Sequence, residues 1–192
     1  MQERIKQVME ESVAVKQQLL NNPEIINEIE KISLAIIEAY RSNKKVLFCG
    51  NGGSAADAQH LAAELSGRFY YDRPPLASEA LHVNTSYLTA VANDYSYDVI
   101  YSRLVEATGC GGDVLIGLST SGSSKNVINA LQAAKAKGMI TISLTGEGGG
   151  RMAELSDYLL AVPSKDTPRI QESHIMLGHI ICELVESTLF PR

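Results

Sequence analysis

The stretch KVLFCGNGGSAADAQHLAAEL, Lys45 to Leu65, decides the fold. Its first part, Val46 to Cys49, is apolar or small and of strand length. Gly50-Asn51-Gly52-Gly53-Ser54 breaks the run, and a helical pattern over 54–66 follows. A continuous apolar strand passing through a glycine loop into a helix is the opening of a strand–helix–strand unit whose sheet is buried on both faces. The alternation recurs along the chain. Short apolar runs lie at 80–84 (ALHVN), 113–120 (DVLIGLST), 139–145 (MITISLT) and 158–163 (YLLAVP). Helical patterns lie at 97–107, 124–137 and 169–190. Two amphipathic helices, 3–20 and 24–41, come first, parted by NNP with Pro23 at a helix start. The pattern predicts an α/β fold, a parallel sheet between two helical layers, with an N-terminal helical extension over 1–42. No repeat, low-complexity tract or long linker interrupts it, so 1–192 reads as one domain.

The bulk properties narrow the function classes. The net charge is −5, with 17 basic against 22 acidic residues spread along the chain. No basic block is present, which argues against nucleic acid as a direct ligand. Cys49, Cys110 and Cys182 are odd in number and widely spaced, as expected in a reducing compartment without a disulfide framework. The polar, helical start MQERIKQVMEES does not read as a signal peptide, and no apolar run approaches the ~20 residues of a membrane span. A soluble cytoplasmic protein with no membrane partner is expected.

In parallel α/β folds, ligands sit beyond the carboxyl ends of the strands. Three loops lie there. In Gly50-Asn51-Gly52-Gly53-Ser54, glycines let backbone N–H groups approach a ligand, and the next helix offers its positive end. STSGSSKN, Ser119 to Asn126, sets five hydroxyls at a helix N-terminus, which suits a phosphate monoester. TGEGGG, Thr145 to Gly150, is the third. None matches GxGxxG or GxxxxGK[ST], so dinucleotides and nucleoside triphosphates are disfavoured. Ser and Gly are also ordinary turn and capping residues, so each loop alone carries little.

His60 and Glu64 stand at i and i+4, neighbours on one helix face. A random pair of this kind is a surface hydrogen bond; here the helix starts at a candidate phosphate loop. RIQESHIMLGHI adds Arg169, Gln171, Glu172, His174 and His179. His174 reads equally as a solvated or a packing residue and stays outside the site. His82, within a strand pattern, reads as a satisfied sheet residue.

CGNGGSAADAQHLAAELSGRF, VANDYSY, GDVLIGLSTSGSSKNVINAL, LTGEGGG and VPSKDTPRIQESHIMLGHIICELVE together resemble the phosphoheptose isomerases, a branch of the SIS (sugar isomerase) superfamily. The resemblance covers nearly the whole chain. It implies a three-layer αβα sandwich of flavodoxin-like type with a five-stranded parallel sheet, a homotetramer with sites at subunit interfaces, and oligomer contacts through the helices of 1–42. It implies isomerisation of the phosphorylated seven-carbon sugar sedoheptulose 7-phosphate, the first step toward the nucleotide-activated heptose of lipopolysaccharide, capsule or other surface glycans.

Carried over by position, the resemblance implies substrate contacts at Asn51, Gly52, Gly53, Ser54, Asn93, Asp94, Ser119, Thr120, Ser121 and Ser124. It implies a zinc ion, one per subunit, on His60, Glu64, Gln171 and His179. Glu64 and His179 match the acid/base residues, and Glu64 and Gln171 also match substrate contacts. Pro168 stands where some members carry an acid, so no role of that acid transfers. A sister group of SIS proteins, adaptors that bind the bacterial replication initiator, resembles the ends MQERIK and TLFP. Those adaptors lack a carboxylate at the Glu64 position and a histidine at the His179 position. Isomerases of other sugar phosphates are the remaining alternative.

The metal set poses a geometric question. Gln171 and His179 are eight residues apart, or ~12 Å of rise on one regular helix. They share one ion only if long side chains converge, if Gln171 lies in an irregular lead-in, or if different subunits supply them.

Overall fold

The computed structural model describes residues 1–192. Strands β1 (Val46–Gly50), β2 (Ser78–Ala80), β3 (Val114–Ser119), β4 (Ile140–Thr145) and β5 (Tyr158–Ala161) form one sheet in the order β2-β1-β3-β4-β5. Every neighbouring pair is parallel. Helices α1 (Gln2–Leu20), α2 (Pro23–Arg41), α3 (Gly53–Ser66), α4 (Thr85–Asp94), α5 (Ile100–Thr108), α6 (Lys125–Ala136) and α7 (Thr167–Leu189) flank it. The expected three-layer architecture and the N-terminal helical region are both present.

The strands are apolar throughout because each face meets a separate core. Phe48, Ile116 and Leu144 point into the larger cluster, with Ile32 and Ile36 of α2, Leu61 of α3 and Leu177 of α7. Leu47, Cys49 and Leu115 point to the other side, with Ile100 of α5 and Leu131 of α6. Successive strand residues thus alternate between two dry layers, and a polar residue at either position would be stranded without water. Asn22 caps α2 by accepting the Glu24 N–H, with Pro23 opening the helix.

Two expectations need correction. The strand expected over 80–84 lies instead at Ser78–Ala80, and His82 falls in the turn beyond it. Its Nδ1 is buried without a partner, so it is not a satisfied sheet residue. The cause is Asn84, whose side chain accepts the Tyr87 N–H and starts α4. That helix was not among the named patterns. The pattern over 97–107 resolves into a 3-10 turn, Tyr97–Val99, running into α5.

Candidate active site

β1 and β3 are neighbours, with Gly50 opposite Leu118. From there the chain leaves β1 for α3 on one face and β3 for α6 on the other. This divergence is the topological switch point of the sheet, the place beyond the strand ends where ligands sit in folds of this type. The first and second loops border it.

The first loop is tightly built. A Cβ on Gly50 would come within 2.7 Å of the Ser54 carbonyl oxygen, and Gly52 adopts φ 56 as it caps α3. Space around Gly52 is open, so its backbone is free to face a ligand. Ser54 is buried and turned inward against Gly50. The Asn51 side chain, expected on substrate, is already engaged. Its Nδ2 donates to Asn126 Oδ1 at 2.9 Å, and its Oδ1 accepts from Asn126 Nδ2 at 2.8 Å and from the Tyr97 hydroxyl at 3.1 Å. The amide ties the first loop to the helix of the second.

In the second loop, the Ser119 hydroxyl lies 2.8 Å from that of Ser124 and 3.3 Å from that of Ser121. Ser121 Oγ also accepts the Ser123 N–H. The three hydroxyls converge at the start of α6, a cradle suited to an anion. Gly122 takes φ +61, and a Cβ there would strike the Gly149 backbone of the third loop. Met152 N–H donates to the Gly122 carbonyl, and Gly146 N–H to that of Thr120. The third loop is therefore a buttress behind the second, and Thr120 is held through its backbone. Lys125 is drawn to Asp98 at 2.6 Å. Asn93 and Asp94 are exposed at the end of α4 and hydrogen-bond to each other at 2.9 Å. Their segment reaches the first loop through Tyr97.

The third group lies where α3 crosses α7. Gly178 makes the crossing close, since a Cβ there would sit 2.5 Å from Leu61 Cδ1. The next residues along, His60 and His179, are thereby brought ring to ring, with Nε2 atoms 2.9 Å apart. Glu64 Oε1 is 3.2 Å from His60 Nε2. One donor atom from each of the three residues falls within 4.8 Å of the others. Two imidazole nitrogens and a carboxylate oxygen, partly exposed, fit a borderline cation such as zinc with a position left open. Gln171 does not join them within one chain. Its amide lies against Gly53, where a Cβ would be 2.6 Å from Nε2. Gln171 and His179 belong to one regular helix, so an irregular lead-in is excluded.

Residues outside the expected set also shape the site. Asp57 sits one turn before His60 with its Oδ2 buried and unpartnered. Burial pushes its carboxyl up, opposed by the nearby His60. Its i, i+3 spacing from His60 was the available signal. Asn126 and Tyr97 carried no such signal. Phe69 sets its ring 5.7 Å from that of His179.

Residues 9–146 match the family model for the SIS domain. Over 190 residues the chain is 52% identical to a phosphoheptose isomerase of Sulfurimonas denitrificans, covering 99% of this chain and 97% of that one. It is 53% identical over 190 residues to a phosphoheptose isomerase of Aneurinibacillus thermoaerophilus, covering 99% and 96%. The solved phosphoheptose isomerase of Neisseria gonorrhoeae superposes with a TM-score of 0.91 at 43% identity, covering 97% and 98%.

Proposed function

Because the chain belongs to the phosphoheptose isomerase branch of the SIS domain family and is an isomerase, we propose that it interconverts sedoheptulose 7-phosphate and D-glycero-D-manno-heptose 7-phosphate. The observation that carries this reading is the His60–Glu64–His179 cluster, set in a fold whose switch point also bears a serine cradle.

Ketose–aldose isomerisation moves a proton between adjacent carbons through an enediol. It requires a base at carbon, proton management at the two oxygens, and binding energy to orient the sugar. The Ser119, Ser121 and Ser124 hydroxyls and the α6 N-terminus hold the phosphate. The Gly52 and Gly53 backbone lines the sugar's path. Glu64, as carboxylate, takes the proton from C1 of the ketose and returns it to C2. His179 carries the proton between the O1 and O2 hydroxyl positions, since an imidazole can accept a proton from one oxygen and return it to the other. Phe69 walls the histidine and reduces its contact with water. His60, Glu64 and His179 would hold a zinc ion, with Gln171 of another copy as fourth ligand, and such an ion supplies Lewis-acid polarisation of the carbonyl.

The assembly belongs to the same proposal. Leu20, Ile26 and Ile180 stay exposed around an apolar groove between α1, α2 and α7. This favours contacts between copies through the helices of 1–42 and a homotetramer. No helix is long and apolar enough to cross a membrane. A cytoplasmic enzyme feeding a nucleotide-activated heptose pathway is the setting we propose. Incubation of the purified protein with sedoheptulose 7-phosphate, followed by NMR, tests the reading. Appearance of the aldose supports it; an unchanged ketose at high enzyme concentration favours the alternatives, an isomerase of another sugar phosphate or the adaptor.

A further inference from the structure

Arg73 and Glu186 form an ion pair whose side chains are 2% and 1% exposed. The isomerase chemistry uses neither. A buried ion pair gains little over apolar side chains of similar volume, because desolvation offsets the attraction. Its value here lies in what its remaining polar atoms hold. Arg73 Nη2 donates to the Glu64 carbonyl at 2.9 Å, and Nη1 to those of Leu65 at 2.8 Å and Gly67 at 3.0 Å. The Glu64 and Leu65 carbonyls lie in the last turn of α3 without an intrahelical donor, Leu65 also accepting the Leu76 N–H, and Gly67 follows as the C-cap. Arg73 therefore caps the helix that carries His60 and Glu64.

Glu186 lies seven residues beyond His179 on α7, two turns along and on the same face. It accepts Arg73 Nε at 3.0 Å, the Phe69 N–H at 2.8 Å and the Tyr70 N–H at 2.7 Å. The Phe69 ring is thereby presented to His179. Burial pushes the Glu186 carboxyl up, yet the Tyr70 and Phe69 N–H groups and Arg73 together hold it below the usual carboxylate range. It remains charged and bound to all three.

We infer that the Arg73–Glu186 pair is a positioning device for proton transfer: it locks the last turn of α3 and the Phe69 wall onto α7, keeping Glu64 and His60 in register with His179. The inference rests on the isomerase reading for its kinetic consequence and on geometry for its structural one. Neither residue touches the reacting carbons, so the phosphate end of the sugar should be unaffected.

The test uses the Arg73→Met/Glu186→Leu double variant, chosen to keep volume and apolar packing, alongside Glu186→Gln, which keeps shape but removes the charge. On sedoheptulose 7-phosphate, kcat per folded enzyme should fall about tenfold or more, with KM within roughly twofold. Arg73→Lys, which keeps the charge but not the fork of donors, should recover only part of the loss. Crystal structures of the variants should show the His60–His179 Nε2 separation opened beyond hydrogen-bond range. If the double variant does not fold, Glu186→Gln carries both measurements. Unchanged kcat with the two Nε2 atoms at their wild-type separation overturns the inference. If the wild type does not turn over this sugar, the isomerase reading fails instead, and the positioning claim stands or falls on the imidazole separation.

Discussion

His60 on α3 and His179 on α7 meet with their Nε2 atoms 2.9 Å apart, and Glu64 Oε1 reaches to 3.2 Å from the same His60 nitrogen. Two imidazoles facing each other through unsubstituted nitrogens share either a proton or a cation. With the carboxylate beside them, the donor set favours zinc. We predict about one zinc per chain in purified protein by elemental analysis. His60→Ala should lose most of it, since a lost ligand lowers affinity steeply. Full zinc occupancy in that variant, or none in the wild type, contradicts the assignment.

The serine cradle makes a different prediction. Ser121 is exposed, and its Oγ accepts the Ser123 N–H and lies 3.3 Å from the Ser119 hydroxyl. Ser121→Ala should raise KM for the phosphorylated sugar about tenfold or more, from a hydrogen bond to a charged group worth ~1.5–3 kcal/mol. Thermal stability should barely change. An unaltered KM would place the phosphate elsewhere.

The reciprocal amide pair Asn51–Asn126 joins the two loops. Removing either partner leaves the other amide poorly satisfied in a part-buried setting, at a cost of about 1–3 kcal/mol. A double-mutant cycle of Asn51→Ala and Asn126→Ala, read by urea unfolding, should give a coupling of about 1 kcal/mol. Strictly additive losses would mean that the two amides do not depend on each other.

His174 is fully buried and its Nε2 is 3.0 Å from the Thr145 carbonyl. Burial lowers its pKa to about 4, opposed by the bond to Thr145. The unfolded chain binds this proton near pH ~6.5 and the folded chain does not. Stability is therefore full above that pH and is lost as pH falls toward 4, by up to about 3 kcal/mol. In urea unfolding between pH 7 and 4, His174→Gln should lack that component. An identical pH dependence in variant and wild type contradicts it.

Much of the fold was legible because its signals are local. Apolar runs at 45–50, 113–120, 139–145 and 158–163 each lead to a strand, and glycine marks the turn at Gly50–Gly53. The edge strand was misplaced because β2 is short and the apolar pair in ALHVN belongs partly to the turn before α4. The His60–Glu64 pair was readable from helical spacing. His179 joins it only through the α3–α7 crossing at Gly178. The engagement of Asn51 by Asn126, and of Arg73 by Glu186, was not readable. Those partners are 75 and 113 residues apart and meet only once the parallel sheet is assembled. Gln171 was grouped with the histidines by resemblance; within one chain its amide lies against Gly53, so sharing their ion takes a second copy, as proposed.

The central claim is that Glu64 is the carbon base of an isomerase. The most direct measurement is deuterium incorporation in D2O at C1 of sedoheptulose 7-phosphate and at C2 of the product aldose, followed by NMR for the wild type and for Glu64→Gln. The wild type should form the aldose and wash deuterium into the sugar. Glu64→Gln, with its oligomer and fold intact, should be slowed in both by a factor of about 10² or more. Turnover and exchange near the wild-type rate in Glu64→Gln would contradict the account.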